Sequence, residues 1–266
     1  MDGIVVRITL PSKWRICNRH SARSMAPRLP TRFLPEKLHD VESQVNNRSA
    51  WNVRLSGNRN DSAMPIKSND LHGNVPDDAG AALLLIDVVN DFEFENGAAL
   101  LELALPVGKQ IASLKARAKQ VGIPVIYAND NFGKWRSDLN QIVSHCLEDG
   151  VRGEPFVKLI LPDEDDYFVL KPKHSGFHCT SLELLLEHVG ARSLILSGIA
   201  GNNCVLFTAN DAYMREFKLF VPADCVVSEM PEENDYALKQ MEKVLKADIR
   251  PAGELHLAEM KRTGRG

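Results

Sequence analysis

A chain of 266 residues, 44% hydrophobic and 25% charged, is long enough to bury a full core. Its net charge of −3 argues against a nucleic-acid or membrane surface as the main partner. The five cysteines, Cys17, Cys146, Cys179, Cys204 and Cys225, are odd in number, widely spaced and free of any CxxC pair, which disfavours a disulfide framework or a zinc site and fits a reducing cytoplasm.

Residues 1–74 read as a basic, disordered N-terminal extension, and 75–260 as one folded domain. The first 63 residues hold eleven Arg and Lys against five Asp and Glu, with poor apolar periodicity. No apolar core of a secretory signal follows the start. An Arg-rich, acid-poor leader fits an organelle transit peptide, and translation beginning at Met64 fits equally well. From about residue 80 the pattern alternates. "AALLLID" (81–87) is a continuous apolar run, as expected of a strand buried on both faces, and it ends in Asp87. "ALPVGKQIASLKARAKQVG" (104–122) has helical spacing, with Ile111, Leu114 and Ala118 on one face, Lys109, Lys115 and Lys119 away from it, and Gly122 as the stop. "IPVIYAND" (123–130) reads as a second strand and "YFVLK" (167–171) as a third that ends in Lys171. A helix over 182–190 follows, capped by Thr180 or Ser181. "RSLILSGIA" (192–200) is the fourth strand, a helix opens at Cys204 and runs to about Phe217, and "KLFVPADC" (218–225) is the fifth strand. "PEENDYALKQMEKVLKA" (231–247) starts with Pro and acids, as a helix should, and "ADIRP" (247–251) suggests a short sixth strand. Alternating strands and helices with apolar strands predict an α/β fold with a mostly parallel sheet covered on both faces.

Ligands of such sheets bind beyond the carboxyl ends of the strands. Asp87, Lys171 and Cys204 all fall there, so a carboxylate, an ammonium and a thiol converge on one edge. The thiolate is the nucleophilic form of cysteine, and both a helix N-terminus and a neighbouring cation favour it. Asp87 can accept the thiol proton and return it to a leaving amine. Backbone N–H groups of the Gly-Ile-Ala-Gly turn, with that of Cys204, can hold an oxyanion. Each residue also has a plainer reading: a small buried hydrophobe for Cys204, a turn cap for Asp87 and a solvated strand end for Lys171.

Three segments carry a family resemblance: "LLLIDVVNDFEF" (83–94), "FVLKPKHSGFHCTSLELLL" (168–186) and "SLILSGIAGNNCVLFTANDAYMREFKLFVPADC" (193–225). Together they resemble the isochorismatase-like cysteine hydrolases, over about 80–230. The resemblance implies a Rossmann-like three-layer α/β/α sandwich. It implies Asp87 as general base, Lys171 as positioning cation and Cys204 as nucleophile. It also implies a cis-peptide at Ile199–Ala200 that turns the Ala200 N–H toward the oxyanion, beside the N–H of Cys204. Lys173 rivals Lys171, which is preferred because it closes the apolar "FVL" run. The implied reaction is hydrolysis of a small amide, ureido or carbamoyl compound by acyl transfer through a Cys204 thioester.

Two departures from the family pattern matter. Val89 stands where relatives often carry Gln. The Asp-x-His metal site of nicotinamidases is incomplete, because Asp130 is followed by Phe132 in the histidine position, with His145 the next histidine. No metal or cofactor is therefore expected. Isochorismatases that split a vinyl ether lack the nucleophilic cysteine, so Cys204 favours amide chemistry; a vinyl-ether hydrolase using Asp87 alone and a silent interaction protein are the alternatives. Phe92, Trp135 and Phe177 are candidate pocket residues, each equally readable as a core or subunit-contact aromatic. His174 and His178 read as surface or hydrogen-bonded residues. The expected partners are a small-molecule substrate and, by resemblance, further copies of the chain in a homo-oligomer.

Overall fold

The computed structural model describes residues 79–131 and 138–262. The expected N-terminal extension and Trp135 lie outside the described residues. Among the described residues six strands, β1 (Ala81–Ile86), β2 (Val125–Asp130), β3 (Tyr167–Lys171), β4 (Ser193–Ile199), β5 (Lys218–Phe220) and β6 (Val226–Val227), form one sheet. Its order is β3-β2-β1-β4-β5, with β6 also paired to β4, and every pairing is parallel. The chain leaves β1 toward β2 on one side and later returns to β4 on the other. The crevice between β1 and β4 is therefore the switch point at which such sheets bind ligands.

Among the described residues seven α-helices cover the faces: α1 (Gly97–Gln120), α2 (Leu139–Glu148), α3 (Glu154–Val157), α4 (Leu182–His188), α5 (Leu206–Met214), α6 (Pro231–Leu245) and α7 (Leu257–Arg262). The alternation of β1 divides the interior into two cores. Ala81, Leu83 and Leu85 pack with α1, α2, α3 and the C-terminal segment. Ala82, Leu84 and Ile86 pack with α4, α5 and α6. Both sides of β1 are covered, which explains its unbroken apolar run. Among the described residues no helix is long and apolar enough to cross a membrane.

Four sequence expectations shift. The helix predicted from 104 begins at Gly97 and carries Pro106 inside it. Leu100 and Ala104 extend the buried stripe upstream of the proline, so packing outweighs the helix-breaking tendency of Pro106. Lys115 is not on the solvent face: it is 6% exposed, donates to Tyr127 Oη at 3.0 Å and Leu161 O at 2.6 Å, and pairs with Asp166 at 2.6 Å. Its stem covers apolar surface while the ammonium is fully paired. The predicted fifth strand, 218–225, is a strand only to Phe220 and ends in a 3-10 turn, Ala223–Cys225. The sixth strand is Val226–Val227, whereas the 247–251 segment makes a single bridge, Phe220 to Asp248.

Candidate active site

β1 delivers Asp87 in the left-handed region, φ 51°, which aspartate tolerates better than most residues. Its N–H donates to Ala128 O at 3.1 Å, its Oδ1 accepts the Asp130 N–H at 2.7 Å, and its Oδ2 meets Lys171 Nζ at 2.8 Å. Lys171 is the last residue of β3, two strands away. Parallel register aligns Asp130 with Lys171 across β2 and β3, and the side chain runs wholly buried to the crevice. Its Nζ also lies 3.3 Å from Lys173 O, 3.5 Å from Cys204 Sγ and 3.7 Å from Asp130 Oδ2. Lys173 itself is exposed and offers only its carbonyl.

Cys204 does not open the helix. It is the fourth residue of a π-helical turn, Gly201–Val205, that precedes α5. Such wide turns are frequent at functional sites. The Ile199–Ala200 peptide is cis. Ala200 O accepts the N–H groups of Asn203 at 3.0 Å and Val205 at 3.1 Å, and Ser228 Oγ takes that of Asn202 at 3.0 Å. Gly201 is required here, because a Cβ would overlap Asn234 Oδ1 and Val226 Cγ1. Gly201→Ala is expected to cost about 1–3 kcal/mol of stability through overpacking, read as a lowered unfolding midpoint, and to displace the turn that carries Cys204. An unchanged midpoint would show that the turn has room.

Asp87, Lys171 and Cys204 thus meet at one point, and sequence comparison bears on what that point belongs to. The family profile described as "Isochorismatase domain" matches residues 81–249. The chain belongs to the isochorismatase family. It is similar to the uncharacterized isochorismatase family protein YaaI of Bacillus subtilis, at 45% identity over 171 residues, 64% of this chain and 93% of that protein. It is 31% identical over 172 residues to the isochorismatase of B. subtilis, covering 62% of this chain but only 54% of that one. It is 30% identical over 178 residues to the ureidoacrylate amidohydrolase RutB of Methylorubrum extorquens, 55% of this chain and 70% of that protein.

In this isochorismatase-family site the electrostatics differ from the sequence expectation of a favoured thiolate. Burial first, then the Asp87 charge, push the Cys204 thiol up to about 12, against the pull of Lys171. The resting group is therefore a neutral thiol. Burial also raises Asp87, more than the charge of Lys171 and its hydrogen bonds lower it. Burial alone would lower Lys171, but the charge of Asp87 and its hydrogen bond, with the charge of Asp130, outweigh it and keep the ammonium protonated.

Two of the three aromatic pocket candidates, Phe92 and Phe177, are corrected; Trp135 lies outside the described residues. Phe92 is fully buried and packs edge-on against Phe156, with ring centroids 5.4 Å apart, in the α1-side core. Phe177 is 5% exposed and packs against Phe217 and under the Arg215 guanidinium in the other core. Both are scaffold aromatics. Among the described residues His174 is the histidine that reaches the site, with Nδ1 3.9 Å from Cys204 Sγ and its ring against Phe207. His145 instead pairs with Asp149 at 2.7 Å and Asp91 at 3.3 Å.

Two further residues escaped sequence reading. Asn129 is fully buried, and its amide clasps both backbone groups of Val89, accepting at 3.0 Å and donating at 2.9 Å. That fixes the turn that carries Asp87. Its polar side chain inside an otherwise apolar strand was the available signal, since buried amides are retained when fully bonded. Thr208, also fully buried, bonds Cys204 O.

Proposed function

We propose that this chain is a cysteine hydrolase of a small amide, ureido or carbamoyl compound, working without a metal through a thioester on Cys204. The observation that carries the reading is one ammonium, Lys171 Nζ, in contact with both Asp87 Oδ2 at 2.8 Å and Cys204 Sγ at 3.5 Å. The 30% identity to an amidohydrolase of ureidoacrylate supports the substrate class.

Because the thiol is neutral at rest, its proton must leave as the bond forms. Asp87 accepts it while Sγ attacks the carbonyl carbon. Negative charge moves to the carbonyl oxygen, which the Ala200 and Cys204 N–H groups receive, with Lys171 holding Asp87 and Sγ in line. The tetrahedral adduct collapses, the C–N bond breaks, and the Asp87 proton goes to the departing amine. Asp87, again a carboxylate, takes a proton from water as it attacks the thioester. Collapse of that second adduct releases the acid and returns the proton to Cys204.

A metal has little place in this scheme. The carboxylate of Asp130 already faces the Lys171 ammonium at 3.7 Å, and Phe132 stands at the position of the missing histidine. Among the described residues one acidic cluster, Asp163, Asp165 and Asp166, has ligand-like spacing. It precedes β3, at the strand end opposite Lys171, and its carboxylates are engaged by Lys115 and Lys119.

The test is ammonia release from a panel of small amides, ureido acids and carbamoyl compounds, run alongside a vinyl-ether isochorismate substrate. Release from an amide or carbamoyl member supports the reading; turnover of the vinyl ether alone contradicts it. The pH profile gives an independent check. Only the Asp87 carboxylate accepts the thiol proton, and its pKa is raised, so activity is lost as pH falls through that raised value. The acid limb of kcat/KM should lie above the ordinary aspartate value of about 4. A limb at that ordinary value would assign the proton to another group.

A further inference from the structure

Thr208 sits on α5 one helical turn after Cys204 and is wholly buried. Its hydroxyl donates to Cys204 O at 2.7 Å and accepts the Gly176 N–H at 3.0 Å. Gly176 lies in the loop that directly follows Lys171 on β3. One hydroxyl therefore spans the two segments that carry the thiol and the ammonium. The rest of that loop is closed by its own bonds: Phe177 N–H to Ser175 Oγ at 3.2 Å, and Thr180 Oγ1 to Gly176 O at 2.6 Å. The loop is thus braced by its own bonds, and Thr208 is a hydrogen-bonded joint between it and the turn that carries Cys204.

We propose that the Thr208 hydroxyl is a positioning group that holds the Cys204 turn against the lysine segment and so sets the approach of Sγ to Lys171 Nζ. The proposal rests on Cys204 being the nucleophile. Three physical features support it. A threonine hydroxyl bonded to the carbonyl four residues earlier bends a helix start, and here that carbonyl belongs to Cys204, within the π-turn. The Gly176 N–H is buried, so losing its acceptor leaves an unpaired donor in the core. The packing is close as well, since a Cβ built on Gly176 would lie 3.6 Å from Thr208 Cγ2 and 3.2 Å from Leu182 Cδ2. The loop has little room to relax around a lost bond.

Two pairs of proteins separate the hydroxyl from the methyl. Thr208→Val keeps the shape and removes the hydroxyl from the wild-type chain. Thr208→Ser keeps the hydroxyl and loses the methyl, and Thr208→Ala then differs from Ser by the hydroxyl alone. The first readout is the rate of Cys204 alkylation by iodoacetamide against pH, resolved from the other cysteines by peptide mass. The second is the split of kcat and KM on an amide substrate. Val should slow alkylation and lower kcat by about tenfold or more with little change in KM, and Ala should fall below Ser by a similar factor. Ser should stay within about threefold of wild type even where its unfolding midpoint is lower. If Val alkylates and turns over like wild type, or if Ser is as impaired as Ala, the hydroxyl does not position the thiol and the proposal is overturned. If Val does not fold, the comparison of Ser with Ala decides the question by the same criterion. Alkylation needs no substrate, so the nucleophile assignment is judged separately, by turnover of Cys204→Ala.

Discussion

Cys204→Ala is expected to lower turnover by about 10⁴-fold or more while leaving the fold intact. The magnitude follows from the role: without sulfur there is no thioester path, and Asp87 and the backbone donors can only assist a water molecule. The fold should survive because Cys204 is only partly buried and the Lys171–Asp87 pair, at 2.8 Å, does not depend on it. Removing the neutral thiol leaves the charges that hold Lys171 protonated, those of Asp87 and Asp130, in place. Steady-state turnover and thermal unfolding measured on one preparation check this. Turnover preserved in the alanine variant would remove the thiol from the chemistry and leave Asp87 acting alone, the vinyl-ether alternative.

Lys171→Met should damage both stability and activity. The lysine side chain is fully buried and its ammonium is the charge partner of a buried carboxylate. Breaking such a pair by removing one partner costs about 3–5 kcal/mol, because the remaining charge stays buried without compensation. Asp87 keeps the Asp130 N–H at 2.7 Å but loses the ammonium, so its already raised pKa rises further. The sign of the pH dependence follows. A carboxyl whose folded pKa lies above its unfolded value destabilises the fold when ionised, and the penalty shrinks as pH falls and it is protonated. The variant should therefore lose most stability near neutral pH and recover part of it in acid. Where acid protonates Asp87 and restores stability, the carboxyl can no longer accept the thiol proton, so turnover should fall even where the variant is folded. Denaturant unfolding at neutral and mildly acidic pH measures the first effect. Equal stability of variant and wild type at neutral pH would mean that the ion pair contributes nothing to the fold.

Much of this site was legible because strand ends carry its side chains. Continuous apolar runs defined β1 and β3, and the polar residue that closes each run is the one that reaches the crevice. β3 occupies the predicted 167–171. Strand order was not legible, since hydrophobic runs do not encode neighbours; only the parallel pairing of β1 with both β2 and β4 places Cys204 beside Lys171. α2 was missed although Asp138 caps it, accepting the Gln141 N–H at 2.8 Å, and Leu139, Ile142 and Cys146 share its buried face. Lys115 misled because charge predicts exposure on a helix, whereas its partners, Leu161 O and Asp166, lie roughly fifty residues away. Phe92 and Phe177 misled because proximity in sequence to Asp87 and Lys171 says nothing of which face a side chain takes. The thiol was expected to ionise easily because cation and helix were weighed while the burial and the Asp87 charge were not visible.

The most direct test of a Cys204 nucleophile is to trap the intermediate. The enzyme is quenched in acid during turnover of the best amide or carbamoyl substrate, and its peptides are weighed. A thioester nucleophile predicts a mass increase equal to the acyl group on the peptide that contains Cys204, absent from Cys204→Ala. Turnover that proceeds with unmodified Cys204 at every quench time, and that survives in Cys204→Ala, would contradict it.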